Sequence, residues 1–324
     1  MKFTKLSLIA TLAISSAFAG GDIAPVEPVV EAPAPVACNS NTTINGKAVL
    51  YSYTWDGYGD LDWYKGESSA LGAAVTLDVS HKIMDNVTAN VTAVGFTNLT
   101  NQFMEGEETG AYLNVANITA SYSDTTFVLG RQLLDTPMIS GFDWLLAPGA
   151  FEAYTVVNKS ISNLTLVGSY ITEYRPNDGG TDFIDIDGEN WAVGAAYSGA
   201  FDVSVWYYNV DAWTTIPENG DPFGGEEYTQ VYADAGYNFG PVAVAAQYVE
   251  TDWDVMDDST AYGIKASGSL AGFDLMAAYV NVDDSVVGYV DNDAIYTSMW
   301  NTLGSNSVGD SYKFEAATEF YGVS

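Results

Sequence analysis

Carboxylates are the one reactive group this chain holds in quantity: 42 Asp and Glu stand against 10 Lys and Arg, with a single His81 and a single Cys38. Acid–base or nucleophilic catalysis would need more partners than that. A Ser–His–Asp arrangement would have to use His81, which sits beside Lys82 in what reads as a surface turn. No Cys/His metal cluster, phosphate-binding glycine loop or nucleophile elbow can be read, so an enzyme is not expected. One cysteine also excludes a disulfide framework. What carboxylates can do is bind hard cations and shape a field. Asp182, Asp185, Asp187 and Glu189 form one acidic cluster, and Asp252, Asp254, Asp257 and Asp258 another. Either could hold Ca²⁺ through several carboxylate oxygens, although neither matches the EF-hand spacing. No other cofactor is expected. A field of this sign attracts cations and repels anions, which makes nucleic acid a poor partner.

The elements that would position these groups repeat along the chain. Residues 1–19 carry Lys2 and Lys5, an apolar run from Leu6 to Phe18, and the small-x-small end Ala17-Phe18-Ala19, the pattern of a cleaved secretory signal. Residues 20–45 are rich in Pro, Val and Ala and read as an extended periplasmic segment. From 46 to 324, stretches of about ten residues alternate apolar and polar, the length one tilted strand needs to cross a bilayer. In 71–80, Leu71, Ala73, Val75, Leu77 and Val79 share one face, and Gly72, Ala74, Thr76, Asp78 and Ser80 share the other. The run 259–269 repeats this, with Tyr262, Ile264 and Ala266 against Gly263, Lys265 and Ser267.

About fourteen such strands can be placed, including 46–55, 69–80, 125–132, 150–158, 189–198, 259–269 and 312–323. Their connections alternate without exception. Short ones fall near 81–85, 123–124, 159–162, 199–201, 239–240 and 270–271. Long ones fall near 56–68, 98–110, 133–149, 175–188, 212–225, 251–258 and 282–311. A Greek-key sandwich has no reason to sort its loops in this way. A transmembrane antiparallel β-barrel does, with short periplasmic turns and long outer loops, and 14% aromatic residues suit its interfacial girdles. A closed barrel is also the one way a chain without a long apolar helix can satisfy its backbone in lipid. The chain ends at Tyr321-Gly-Val-Ser324 without a terminal aromatic residue. A complete barrel of 16–18 strands is therefore expected to continue beyond this sequence, or a further hairpin lies inside 282–311.

The segment 133–149, LLDTPMISGFDWLLAPG, is too apolar to stand in water. Folded into a barrel it would narrow the lumen, with Asp135 and Asp143 as its charges; as a cap it would pack on the rim. Arg131, Glu152 and Lys265 are the other candidate lumen charges. Arg131 alternates with Phe127 and Leu129, so it lies either at the outer interface or, through a bulge, inside.

At Val128-Leu-Gly-Arg-Gln-Leu-Leu-Asp-Thr-Pro137 and Ala147-Pro-Gly-Ala-Phe-Glu-Ala153 the chain resembles the OprD-like outer-membrane porins, most closely the Campylobacter-type major porins. That resemblance implies an 18-stranded barrel in outer-membrane lipid, passive passage of small hydrophilic solutes, and, in the Campylobacter-type branch, a cation-preferring homotrimer. It also implies a departure: OprD lines its pore with a basic ladder, and this chain has too few basic residues to build one. The alternative is a structural or adhesive barrel with little conductance.

Overall fold

The computed structural model describes residues 41–54, 65, 69–100, 109–141, 146–176, 182–211, 227–291, 293–298 and 308–319. The signal-like segment 1–19, most of the Pro-rich segment and Asp143 lie outside them.

Among the described residues, fourteen strands form one sheet, each hydrogen-bonded to its neighbours in chain order and every pair antiparallel. They are β1 (Thr42–Thr54), β2 (Ser69–Met84), β3 (Val87–Asn98), β4 (Thr109–Tyr122), β5 (Thr125–Gln132), β6 (Ala150–Asn158) and β7 (Leu164–Arg175). The second half is β8 (Ile184–Ser198), β9 (Asp202–Val210), β10 (Tyr228–Asn238), β11 (Val242–Trp253), β12 (Ser259–Leu270), β13 (Phe273–Asp283) and β14 (Gly309–Ala317). The alternation of short and long connections holds except between β11 and β12, where 254–258 is no longer than the β6–β7 turn at 159–163. At the β12–β13 turn, Ala271 and Gly272 both have positive φ (54° and 84°), the backbone that matches a two-residue turn to twisted strands.

Some boundaries differ from the sequence expectation. β1 starts at Thr42, so the last residues assigned to the Pro-rich segment belong to the wall. β2 runs on to Met84, which puts His81 on a strand, where its Nδ1 lies 2.8 Å from Thr42 Oγ1. β8 begins at Ile184, which moves Asp185 and Asp187 out of a loop. Among the described residues of 282–311, 284–291 and 293–298 form no hairpin; they run as an irregular segment, much of it buried.

The two faces differ in chemistry as the alternation requires. Leu50, Val75, Leu77, Leu129, Tyr154, Val205, Ile264 and Phe314 lie exposed on one face, while Val49, Ala74, Val128, Ala153, Ala192 and Ala261 are buried on the other. A flat sheet of this size would be about 60 Å wide at the usual strand spacing. Yet Leu146 and Ala147, between β5 and β6, pack with Val49, Ala70, Ala74, Val94 and Phe96 of β1–β3. Leu134, Met138 and Ile139 of the same connection pack with residues of β9–β13. One loop can reach both ends of the sheet only if the sheet curls around it. The face bearing the exposed apolar belt is therefore the outer one, and the buried face is the inner one.

Candidate functional site

The site lies on the inner face and is built from two long connections. The first, 133–149, closes a small hairpin at its tip. Thr136 N donates to Ile139 O at 3.1 Å, Gly141 N donates to Leu134 O at 3.2 Å, and Asp135 bridges Ser140. Pro137 occupies the turn, where its fixed φ suits the bend. The apolar side chains that made this loop conspicuous are buried: Met138 and Ile139 are fully covered, and Leu134, Leu146 and Ala147 nearly so. Its in-folding accounts for its composition.

The second connection was not singled out by sequence. Residues 284–298 fold inward after β13, and Val287, Val290, Asp293, Ile295, Tyr296, Thr297 and Ser298 are all buried. The two loops meet. Ile139 and Val290 form a parallel bridge, with Val290 N donating to Met138 O at 2.9 Å and Ser140 N to Val290 O at 3.3 Å. They approach again at Gly149, where a side-chain Cβ would collide with the Asp291 carboxylate, so glycine is what fits.

The wall holds this second loop through polar side chains. Trp253 Nε1 donates to Val286 O at 3.0 Å. Gln230 Nε2 donates to Gly288 O at 2.7 Å, and Gly288 N donates to Thr251 Oγ1 at 3.3 Å. Gln247 Nε2 donates to Ala294 O at 2.7 Å, and its Oε1 accepts from Tyr296 N at 3.2 Å. Tyr296 Oη donates to Asp234 at 2.8 Å, and Lys265 Nζ lies 4.3 Å from the centre of the Tyr296 ring. Burial, with the Asp234 carboxylate alongside, pushes the Tyr296 phenol far above its ordinary range and keeps it a donor. Lys313 Nζ donates to Ser298 O at 2.9 Å and pairs with Glu315 at 2.8 Å.

The sequence candidates divide. Lys265 is on the inner face, as the alternation requires, half-buried against Tyr296. Asp135 is half-buried in the tip hairpin of the first loop. Arg131 and Glu152 lie elsewhere. Arg131 pairs in register with Glu152, two residues from the Leu129–Tyr154 pair, and this puts both on the outer face. Gly130 has a positive φ (111°), but the register with β6 does not shift there, so no bulge turns Arg131 inward. Arg131 bridges two carboxylates, Nε to Glu152 at 3.4 Å and a terminal nitrogen to Glu173 at 3.6 Å, and Phe183 covers its guanidinium at 4.0 Å. This charged row sits one step above an aromatic row, Tyr154–Tyr170–Trp191. The inner arginine is the other one, Arg175, fully buried with its guanidinium 3.4 Å from the centre of the Tyr112 ring.

The proposed Ca²⁺ ligands are not gathered. Asp187 lies in a stretch of β8 that breaks register with β7, and Asp182 Oδ1 accepts from the adjacent Phe183 N. Among the described residues no three carboxylate, His or Cys side chains are grouped to hold a metal ion. A cavity of about 800 Å³ opens mainly on the outer face, over Ala246, Ala266 and Ala277 between Tyr237 and Phe314; it belongs to the apolar belt.

No protein-family model and no curated protein matches this sequence. Solved structures do. The outer membrane protein OpdK of Pseudomonas aeruginosa superposes with a TM-score of 0.70 at 15% identity, covering 87% of this chain and 78% of that one. OccK8 (OprE) of the same organism gives 0.67 at 14% identity, covering 87% and 80%. A BenF-like porin from Pseudomonas fluorescens Pf-5 gives 0.66 at 13% identity, covering 85% and 76%. The all-β antiparallel wall of this chain thus has the fold of outer-membrane porins of the OprD type.

Proposed function

We propose that this chain is an outer-membrane porin through which ions and small hydrophilic solutes diffuse passively, narrowed by the loop 133–149 together with 284–298. The observation that carries this reading is the meeting of two long loops on the inner side of a curled wall, at the Ile139–Val290 bridge. An enzyme needs a reactive constellation. A passage needs a belt for lipid, a lumen and a constriction, and the exposed outer belt and the two in-folded loops support that reading. The outer face supplies exposed Leu, Val, Ile and Phe, bounded on β6–β8 by Tyr154, Tyr170 and Trp191 and then by the charges of Arg131, Glu152, Glu173 and Asp185. Aromatic residues followed by charges suit the level of lipid headgroups.

The same inventory supports a preference for cations. Three basic side chains of the inner wall are occupied, Arg175 on Tyr112, Lys265 on Tyr296, and Lys313 on Glu315 and the Ser298 carbonyl, while Lys47 of β1 stands exposed on the same face. They do not form a row offered to passing carboxylates. Asp135 and Asp143 remain the charges of the first loop, and the chain is acidic overall, with a formal net charge of −32. Rings of carboxylates favour cations in this way.

The test is a planar bilayer under a KCl gradient, with full-length protein purified from outer membranes. Stepwise conductance with a cation-selective reversal potential is expected, and three equal sub-steps would mark a homotrimer of the Campylobacter type. Folded, heat-modifiable protein that never conducts would overturn the reading and favour a structural or adhesive barrel.

A further inference from the structure

The two loops are held very differently, and this assigns a role to wall residues that face no solute. The described part of the loop 133–149 meets the wall at Tyr208, whose Oη accepts from Met138 N at 3.3 Å and bonds the Thr136 side chain, and at Asn114, whose Nδ2 donates to Pro148 O at 3.1 Å. The segment 284–298 is hydrogen-bonded to the wall along its length, at Val286, Gly288, Ala294, Tyr296, Thr297 and Ser298. Three of the donors, Gln230, Gln247 and Trp253, are buried side chains aimed at backbone carbonyls of the loop. A carbonyl left without such a donor in a buried site costs far more than the bond contributes when made. The fit is also steric: a Cβ on Gly288 would stand 2.8 Å from ring carbons of Tyr228, so the loop backbone lies directly on that ring.

We propose that Gln230, Gln247 and Trp253 are positioning residues of the constriction: they fix 284–298 to β10 and β11, and that segment in turn fixes the tip of 133–149 through the Val290–Ile139 bridge. The aperture is then set by amide and indole donors of the wall, acting at one remove from the loop that carries Asp135. This rests on the porin reading for its consequence in conductance, but the positioning itself can be read without a current.

The experiment uses the full-length protein with Gln247→Leu, Gln230→Leu or Trp253→Phe, the last keeping an aromatic ring so that a folded variant is available. Single-channel conductance and open-state noise are recorded, and folding is checked by heat-modifiable migration. In parallel, Val290→Cys is introduced into each on a Cys38→Ser background, and its labelling by a membrane-impermeant maleimide is timed in folded protein. Expected are larger, noisier steps and severalfold faster labelling, most marked for Gln247→Leu, which loses two bonds to the loop. Wild-type steps together with unchanged labelling in all folded variants would overturn the proposal. If the wild type does not conduct, the porin reading fails, and faster labelling alone still supports the positioning role while unchanged labelling refutes it.

Discussion

The loops 133–149 and 284–298 reach the same place with a different balance of apolar burial and polar anchoring. The first is drawn inward by apolar side chains: Leu134, Met138, Ile139, Leu146 and Ala147 leave water, at about 25 cal/mol for each Å² of apolar surface removed. The second also buries Val287, Val290, Ile295 and Tyr296, but it carries Asp284, Asp291 and Asp293 and is held in addition through its backbone by groups that belong to the wall. Asp293 shows how an acidic residue fits there. Its carboxylate accepts from Ile295 N and Ser298 Oγ, both at 2.8 Å, and so closes a turn within the loop. Apolar drive needs only a surface, whereas polar anchoring needs matched partners. The second loop should therefore be the more sharply positioned and the more easily released by a single substitution.

Removing the second loop should have the largest effect. Replacing 285–298 by a short Gly/Ser linker is expected to raise single-channel conductance severalfold, because it removes the anchored segment and frees the tip of the first. Conductance that rose more on shortening 137–146 than on removing 285–298 would reverse the hierarchy of the two loops.

A buried charge in the first loop comes next. Met138→Asp places a carboxylate where the side chain is fully covered, and an unpaired buried charge costs several kcal/mol. The loop should leave the inner face, read as faster protease cleavage near 138 in folded protein. Cleavage at the wild-type rate would show that Met138 is not packed as described.

Neutralising the first loop tests selectivity. Asp135→Asn with Asp143→Asn is expected to lower cation preference without abolishing conductance, and an unchanged reversal potential would detach these carboxylates from the passage. The smallest effect is expected at the outer charged row. Arg131→Ala removes a partly exposed pair with Glu152 and Glu173, worth about 1 kcal/mol or less. Reversal potential should stay unchanged, with at most a slight drop in the temperature of heat modification. A shift in selectivity would mean that Arg131 reaches the lumen after all.

The wall was legible in the sequence because a half-buried strand repeats every two residues and each membrane crossing fixes its length. β5 and β6 were placed to the residue, and Lys265 fell on the expected face. The first loop was legible because burial by apolar side chains leaves a mark in composition. The second was not, because its buried apolar residues Val287, Val290, Ile295 and Tyr296 are interrupted by Gly and Asp, and its polar anchors Gln230, Gln247, Trp253 and Lys313 lie up to 58 residues away in the chain. A glutamine on a strand looks the same whether it faces water or a loop carbonyl. Arg131 and Arg175 make the same point: near Arg131 the motif drew attention, yet Arg175 is the arginine that faces inward, at the end of β7 where alternation gave little context.

The central claim is that the two loops touch inside the wall, and disulfide trapping tests it most directly. Ile139→Cys with Val290→Cys on a Cys38→Ser background places two thiols at a bridged pair, within the Cα separation of about 4.4–6.8 Å that a disulfide spans. Mild oxidation of folded, membrane-inserted protein should close the bond nearly completely, change migration on reduction, and leave the conductance step at its wild-type size. Folded protein in which both thiols stay free and open to labelling would contradict the account.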